Sequence, residues 1–357
     1  MRFLVTDTLI AGLPLLPVVM GIYLIVRIRQ DFDLTVDGSF TLGGAVTAVL
    51  LNHGLGVPLA MLAAVAVAAV AGLVTTGLHL AFRIPVILAG LVMSIGMTTL
   101  NLRVLGRPSI SLDSGRTLFG GLIGLAPEVQ DWLTIAILAA FASVFLAAVG
   151  YLLLTEVGLA LRATGVNPRM ARALGVDDRR SLALCLALAN ASAGLSGALT
   201  VQSQGFSDSS TGTGTLLAGV GAVMLGELIA RPGGASRVGL VIAAVVAGTL
   251  LYRLILVGAL RAGLQATDLS GITALTLVAA VALNRYLPEI GRALGRVGPG
   301  GRPGGRAVAL DGPKTAAVAG GRPVADDGPT APPARQPAAA GRASASAAAA
   351  ATMKEAG

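Results

Sequence analysis

Nine stretches of predominantly apolar residues follow one another along this chain, near residues 8–26, 34–51, 57–82, 85–105, 131–154, 181–201, 214–230, 238–257 and 269–287. About 20 such residues in a helix cross the hydrocarbon core of a bilayer. In hydrocarbon a backbone must satisfy its own N–H and C=O groups, and a helix does so within one segment. The pattern therefore predicts an all-α, polytopic transmembrane helical bundle of about nine spans, within a range of eight to ten. Composition agrees. Charged residues make up 12% of the 357, against about 25% in a soluble domain. Hydrophobic residues reach 54%, and the mean hydropathy is +0.80. Aromatics supply only 4%, which leaves small and aliphatic side chains suited to closely packed membrane helices. Arg2 alone stands before the first stretch, which holds Pro14 and Pro17 and is followed by no clear cleavage site, so it reads as a retained span.

Two stretches depart from uniform apolarity. The second carries Asp37, Gly38, Ser39, Gly43 and Gly44, and the seventh is interrupted by Gly214, Gly219, Gly221 and Gly226. Irregular or polar backbone at membrane depth is tolerated where it is buried in protein or lines a cavity. These two segments are the expected lining of a pathway, with Thr35, Asp37 and Ser39 as its residues. Asn101, Asn190, Ser192 and Gln202 lie in or beside spans; they read either as further lining or as hydrogen bonds that pack helix on helix.

Basic residues set the orientation. The connection 155–180 carries Arg162, Arg169, Arg172, Arg179 and Arg180; with alternating spans, the loops of Arg27 and Arg29, Arg83, and Arg231 with Arg237 fall on the same side, as does the tail. That side is expected to be cytoplasmic in a cell membrane, with the N-terminus outside. The loop with Arg103, Arg107 and Arg116 dissents, and within it Leu118–Ala126 is expected to be a short interfacial or re-entrant piece. Residues 1–290 are read as the membrane domain. Residues 296–357, rich in Gly, Pro and Ala, cannot bury enough apolar surface to offset the entropy of ordering and are expected to be a disordered cytoplasmic tail.

Several functions are excluded. The net charge of +8 resides in short loops and the tail rather than in a stripe, which fits a positive-inside bias and not nucleic-acid binding. Only Lys314 and Lys354 are lysines; Pro313 and Met353 precede them, so no phosphate-cradling Gly-Lys pair exists and the chain has no ATPase site of that kind. Titratable groups among the spans are too few for an arranged nucleophile and base. Cys185 is the single cysteine, and His53 and His79 stand far apart without ligand partners. No catalytic residues, metal or cofactor are expected.

The most informative stretch joins two strong spans: Thr155-Glu-Val-Gly-Leu-Ala-Leu-Arg-Ala-Thr-Gly165-Val-Asn-Pro-Arg-Met-Ala-Arg-Ala-Leu-Gly175-Val. Asn167 and Pro168 suit an N-cap and first turn, Gly175 suits a stop, and Met170, Ala171 and Leu174 share a helical face. A short helix here fits either an ordinary loop or an element that docks on a partner. The stretch resembles the coupling-helix signature of the ABC-importer permeases of the ribose and branched-chain amino acid type, through Thr155, Gly158, Arg162 with Ala163, Gly165, Asn167, Ala171, and Gly175 with Val176. Asp33-Leu-Thr-Val-Asp-Gly38-Ser39-Phe-Thr-Leu-Gly43 is similar to the family's early membrane-entering block. Ala193-Gly-Leu-Ser-Gly-Ala-Leu, then Gly212-Thr-Gly214 and Val220 to Gly226, are similar to its later span, external loop and broken helix.

The resemblance covers roughly Asp31 to Arg285. It implies a permease subunit that forms a substrate pathway, with an external binding protein delivering solute, a second permease chain completing the path, and a separate ATPase subunit coupled through Arg162, Ala163, Gly165, Asn167, Pro168, Arg169, Ala171, Leu174 and Gly175. Asp37 and the run Glu227 to Arg231 depart from the sugar branch and imply a small solute such as an amino acid. Glu227 and Arg231, four apart, are expected to pair on one helix. An ion-gradient-driven transporter is the other reading, and it requires midplane carboxylates and inverted repeats.

Overall fold

The computed structural model describes residues 2–230, 238–265 and 268–295, which belong to one compact unit, Met1–Pro299. The expected tail 296–357, and the loop with Arg231 and Arg237, lie outside the described residues.

All nine apolar stretches are helical. The first combines α1 (Arg2–Gly12), a 3₁₀ turn (Leu13–Leu15), α2 (Leu16–Tyr23) and a π-helical end (Leu24–Arg29). Pro14 and Pro17 explain the break, because proline donates no N–H and its ring crowds the preceding turn. There Ser196 Oγ takes up the Val18 N–H at 2.8 Å. The remaining helices are α3 (Thr35–Asn52), α4 (Val57–Phe82), α5 (Val86–Leu105), α6 (Pro127–Leu154), α7 (Glu156–Val166), α8 (Pro168–Ala173), α9 (Asp178–Gln204), α10 (Thr215–Ala230), α11 (Val238–Arg261) and α12 (Leu269–Gly295). Local signals place their ends. Prolines stand in the first turns of α4, α6 and α8. Asp177 caps α9 by accepting from the Arg179 and Arg180 N–H groups, and Gly106 and Gly205 close α5 and α9 at φ 71° and 78°.

Among the described residues, six helices are long and apolar enough to cross a membrane: Phe3–Arg29, Val57–Phe82, Val86–Leu105, Pro127–Leu154, Asp178–Gln204 and Val238–Arg261. Apolar parts of α10 and α12 are shorter, and α3 carries Asp37, Ser39 and Thr41. The first span and α9 are 72% and 67% buried, whereas the other four long helices are only about one third buried and turn leucines and valines outward. The bundle is thus built around the first span, α9 and the mostly buried α3, with lipid-type surfaces on the other four long helices. Glycines permit its tightest contacts: a Cβ on Gly197 of α9 would collide with the Phe40 carbonyl of α3.

The two ends of the bundle are distinct. At one, β1 (Ser109–Ser111) pairs antiparallel with β2 (Phe206–Asp208), Asn52 Nδ2 donates to the Ser111 carbonyl at 3.1 Å, and Arg261 pairs with Asp7 at 2.6 Å. Residues 114–122, within the loop expected to be re-entrant, form two 3₁₀ turns at this end, where the Leu118 N–H meets Gln202 at 3.1 Å. At the other end, Arg29 pairs with Asp178 at 2.7 Å and with Asp31 at 3.2 Å, and α7 packs on the π-helical turn.

Candidate functional site

Three polar constellations occupy this apolar frame. The first lies between α3, α4 and α9. After Arg29 the chain runs irregularly from Gln30 to Leu34 and carries Asp33 into the bundle, level with Asn190 near the middle of α9. Asp33 is fully buried. Its Oδ2 accepts from Asn190 Nδ2 at 2.8 Å and its Oδ1 from the Thr35 N–H at 2.9 Å. Asn190 Oδ1 in turn accepts from Ser39 Oγ at 2.7 Å, and Thr35 Oγ1 meets Thr75 Oγ1 at 2.8 Å. Gly90 of α5 leaves room for Asp33; a Cβ there would crowd its carboxylate and the Leu34 N–H. Thr35, Ser39 and Asn190 are therefore brought together as a closed, mutually satisfied network.

The second is a cavity of about 250 Å³ between α3, α5 and the segment that leads into α10, lined among others by Asp37, Thr41, Ser94, Thr98, Asn101 and Ser210. Asp37 Oδ1 accepts from the Leu216 N–H at 2.7 Å and Oδ2 from the Gly214 N–H at 3.0 Å, while Thr41 Oγ1 accepts from Gly212 at 2.9 Å. Helix α3 thus holds the start of α10, whose first N–H groups have no intrahelical partner. Asn101 is 2% exposed; its Nδ2 donates to the Gly38 carbonyl at 3.3 Å, and its Oδ1 is buried without a partner.

The third is the α7–α8 corner. Asn167 Oδ1 caps α8 by accepting from the Met170 N–H at 3.1 Å, Pro168 opens the helix, and Gly175 closes it at φ 85°. Ala171 is buried. Val166, Met170 and Leu174 stand outward, 81%, 60% and 71% exposed, with Arg169, Arg172 and Ala163 exposed nearby. Met170 and Leu174 thus share an outward face, and Ala171 points the other way. Arg162 turns back onto its own corner, donating to the Leu153 and Gly158 carbonyls at 2.9 and 3.4 Å. Gly165 lies against Ile28, where a Cβ would collide with the carbonyl oxygen. The expected short helix between Asn167 and Gly175 forms as α8; a further helix, α7, precedes it and ends where Pro168 supplies no N–H to continue it.

Ser192 and Gln202 join none of these groups. Ser192 Oγ donates to the Leu188 carbonyl at 2.6 Å, and Gln202 bridges Ala198 and Leu118. Glu227 pairs with Arg27 of the first span; Arg231, its expected partner, lies outside the described residues. Sequence reasoning also missed Asp33, Thr41 and Ser196 as contact-making residues. A carboxylate opening an otherwise apolar block was the one available signal, since each partner lies far along the chain. Among the described residues no group of three or more His, Cys, Asp or Glu side chains is placed to hold a metal ion.

A helical bundle with six membrane-length helices, a buried polar seam and a polar cavity defines a multi-pass membrane protein of the permease class. The chain belongs to the family described as branched-chain amino acid transport system / permease component, which it matches over residues 4–282. It is 31% identical over 265 residues to the tyrosine transport system permease protein of Clostridioides difficile, covering 74% of this chain and 85% of the relative. It is 33% identical over 229 residues to an uncharacterized protein of Rickettsia prowazekii, covering 64% and 78%. The autoinducer 2 import system permease protein LsrC of an Enterobacter species is 27% identical over 218 residues, covering 60% and 61%. No solved structure matches the chain.

Proposed function

We propose that this chain is the permease subunit of an ABC importer, and that it receives its drive from a separate ATPase subunit docked on α8. The observation that carries this reading is the outward row of Val166, Met170 and Leu174 beside Arg169 and Arg172. Large apolar side chains aligned on one face mark an interaction site, and the arginines offer charge-assisted bonds to an acidic groove. Behind that face, Asn167, Pro168, Ala171 and Gly175 shape the helix, while Arg162 and Gly165 brace the corner against the first span. Motion of α8 would pass to α6 and α9 and to the π-helical turn. ATP acts on such a machine only through its different affinity for the outward- and inward-facing states.

In this reading nine helices cross the membrane in alternation, with the Arg29–Asp178 end and the tail 296–357 cytoplasmic. A binding protein delivers solute at the β1–β2 end, and a second permease chain, identical or not, covers part of the exposed apolar surface. The solute is small, such as an amino acid; the tyrosine permease relative supports this, and so does Asp37 at the cavity. A gradient-driven transporter needs a carboxylate free to exchange its ion. Both Asp33 oxygens already accept hydrogen bonds, which disfavours that alternative.

The test is co-purification of the full-length chain, in mild detergent, from cells that also express the ATPase encoded beside it. Met170→Glu with Leu174→Glu is the variant of choice, because both side chains face outward and neither caps the helix. An ATP-hydrolysing subunit recovered with the parent and lost with the double variant supports docking on α8. Recovery with both, or with neither, removes the basis of the proposal.

A further inference from the structure

The cavity beside α3 and α5 has a chemical bias beyond its polarity. Asn101 cannot rotate its amide to advantage, because its Nδ2 already donates to the Gly38 carbonyl and the exchanged orientation would set oxygen against oxygen. Its Oδ1 therefore stays an acceptor, buried and unpartnered, on the cavity lining. A buried acceptor without a donor is costly to leave unmatched. The hydroxyls nearby lean the same way. Thr98 Oγ1 donates its proton to the Ser94 carbonyl and Thr41 Oγ1 donates to the Asp37 carbonyl, so these oxygens present lone pairs to anything that enters. The one charged side chain of the lining is the Asp37 carboxylate, and no Lys, Arg or His is among its residues. An anionic group meets no cationic side chain there and faces the Asp37 carboxylate, while a group with several N–H donors finds acceptors among the carboxylate, the Asn101 oxygen and the hydroxyls.

The geometry points to this cavity as a recognition subsite for the protonated amino group of the transported solute, with Asn101 Oδ1 and the Asp37 carboxylate as its acceptors. An ammonium has three donors and no lone pair, which matches a lining whose one charged side chain is a carboxylate and whose buried amide presents an unpartnered oxygen. At about 250 Å³ the space falls below the range of about 300–1,000 Å³ that encloses a drug-sized ligand, so it takes the polar end of a small solute. Gly38 and Asn101 are buried at its floor, and Thr98, Ser210 and Thr213 are exposed at its rim. Asp37 also holds the Gly214 and Leu216 N–H groups, so an occupant touches the joint between α3 and α10. This inference rests on the pathway reading of the chain, but not on the docking of an ATPase.

The measurement is ligand-observed NMR on the full-length chain in detergent, at millimolar concentrations of three probes. L-tyrosine has both charged groups, tyramine keeps only the amine, and 3-(4-hydroxyphenyl)propionate keeps only the carboxylate. Tyrosine and tyramine are expected to bind and the propionate not to. Asn101→Leu, similar in volume and without the acceptor, is expected to weaken tyramine at least ten-fold. Asn101→Asp restores an acceptor and retains binding. Size-exclusion profiles and melting midpoints of the variants identify any that misfold, and Thr98→Val then reads the same lining from another residue, with weaker tyramine binding expected. Equal binding of amine and propionate, absence of tyramine binding, or parent-like affinity in both Asn101→Leu and Thr98→Val overturns the subsite. Loss of ATPase co-purification alone bears on α8 and leaves the binding result standing.

Discussion

Asp33 has no exposed surface, and burying an ionised carboxylate is costly unless donors surround it. Asn190 serves as hinge of the arrangement, giving its amide N–H to Asp33 and taking the Ser39 hydroxyl on its oxygen. Asn190→Leu removes one donor from the carboxylate and one acceptor from the hydroxyl at once. Leaving a buried acceptor unsatisfied costs about 1–3 kcal/mol, and more for a charged one. The variant should show a clearly lowered melting midpoint in detergent. Adding Asp33→Asn should recover part of the loss, since the uncompensated charge is gone; the non-additivity of the pair measures the coupling. If Asn190→Leu melts with the parent, the network does not hold α3 on α9. From sequence alone Thr35, Ser39 and Asn190 stood as path lining alongside Asp37 and Asn101, because polarity in an apolar run marks both. Only the partners separate them: Ser39 and Asn190 bond each other, Thr35 bonds Asp33 and Thr75, and the other two line the cavity.

At the scale of elements the apolar stretches were highly legible, down to 57–82 against Val57–Phe82 and 85–105 against Val86–Leu105. Caps and breakers sharpened them, as at Asn167, Pro168 and Gly175. What each helix faces was far less legible. Leucine, valine and alanine suit lipid and helix interior alike, so periodicity says little about which side meets a neighbour. Arg27 and Glu227 pair across 200 positions, a separation that no local spacing marks. The α8 cap is the local feature whose effect is simplest to isolate. Asn167→Ala should cost about 1 kcal/mol of α8 stability, whereas Asn167→Asp keeps a capping oxygen. Arg169 and Arg172 are exposed beside it, so limited trypsin digestion reads the opening of this corner. Cleavage there should quicken about five-fold in Asn167→Ala, following the open population, and stay near the parent rate in Asn167→Asp. Equal rates in all three proteins would mean that packing on α9, not the cap, holds α8.

For the whole molecule the two ends are the decisive feature. The contacts Asp7–Arg261, Asn52–Ser111 and β1–β2 gather chain segments at one end, and Arg29–Asp178 with the α7–α8 corner gathers the others. The long helices α4, α5, α6, α9 and α11 run between these ends, whereas α3 begins beside the middle of α9 and α10 begins against Asp37. The arginine-rich loops concentrate at the Arg29–Asp178 end, although Arg103, Arg107 and Arg116 sit opposite. The positive-inside bias weighs short loops near span ends. It therefore predicts that the Arg29–Asp178 end faces the cytoplasm. The single native thiol makes this directly measurable. Cys185 is buried in α9 and should be silent toward a membrane-impermeant maleimide in intact cells. Ser114 lies exposed at the β1–β2 end and Arg169 at the other, so Ser114→Cys should label from outside, and Arg169→Cys only after permeabilisation. The reversed pattern would invert the orientation and place α8 where no ATPase operates. Labelling of both from the same side would remove α6, the one membrane-length helix between them, as a crossing and so break the alternation.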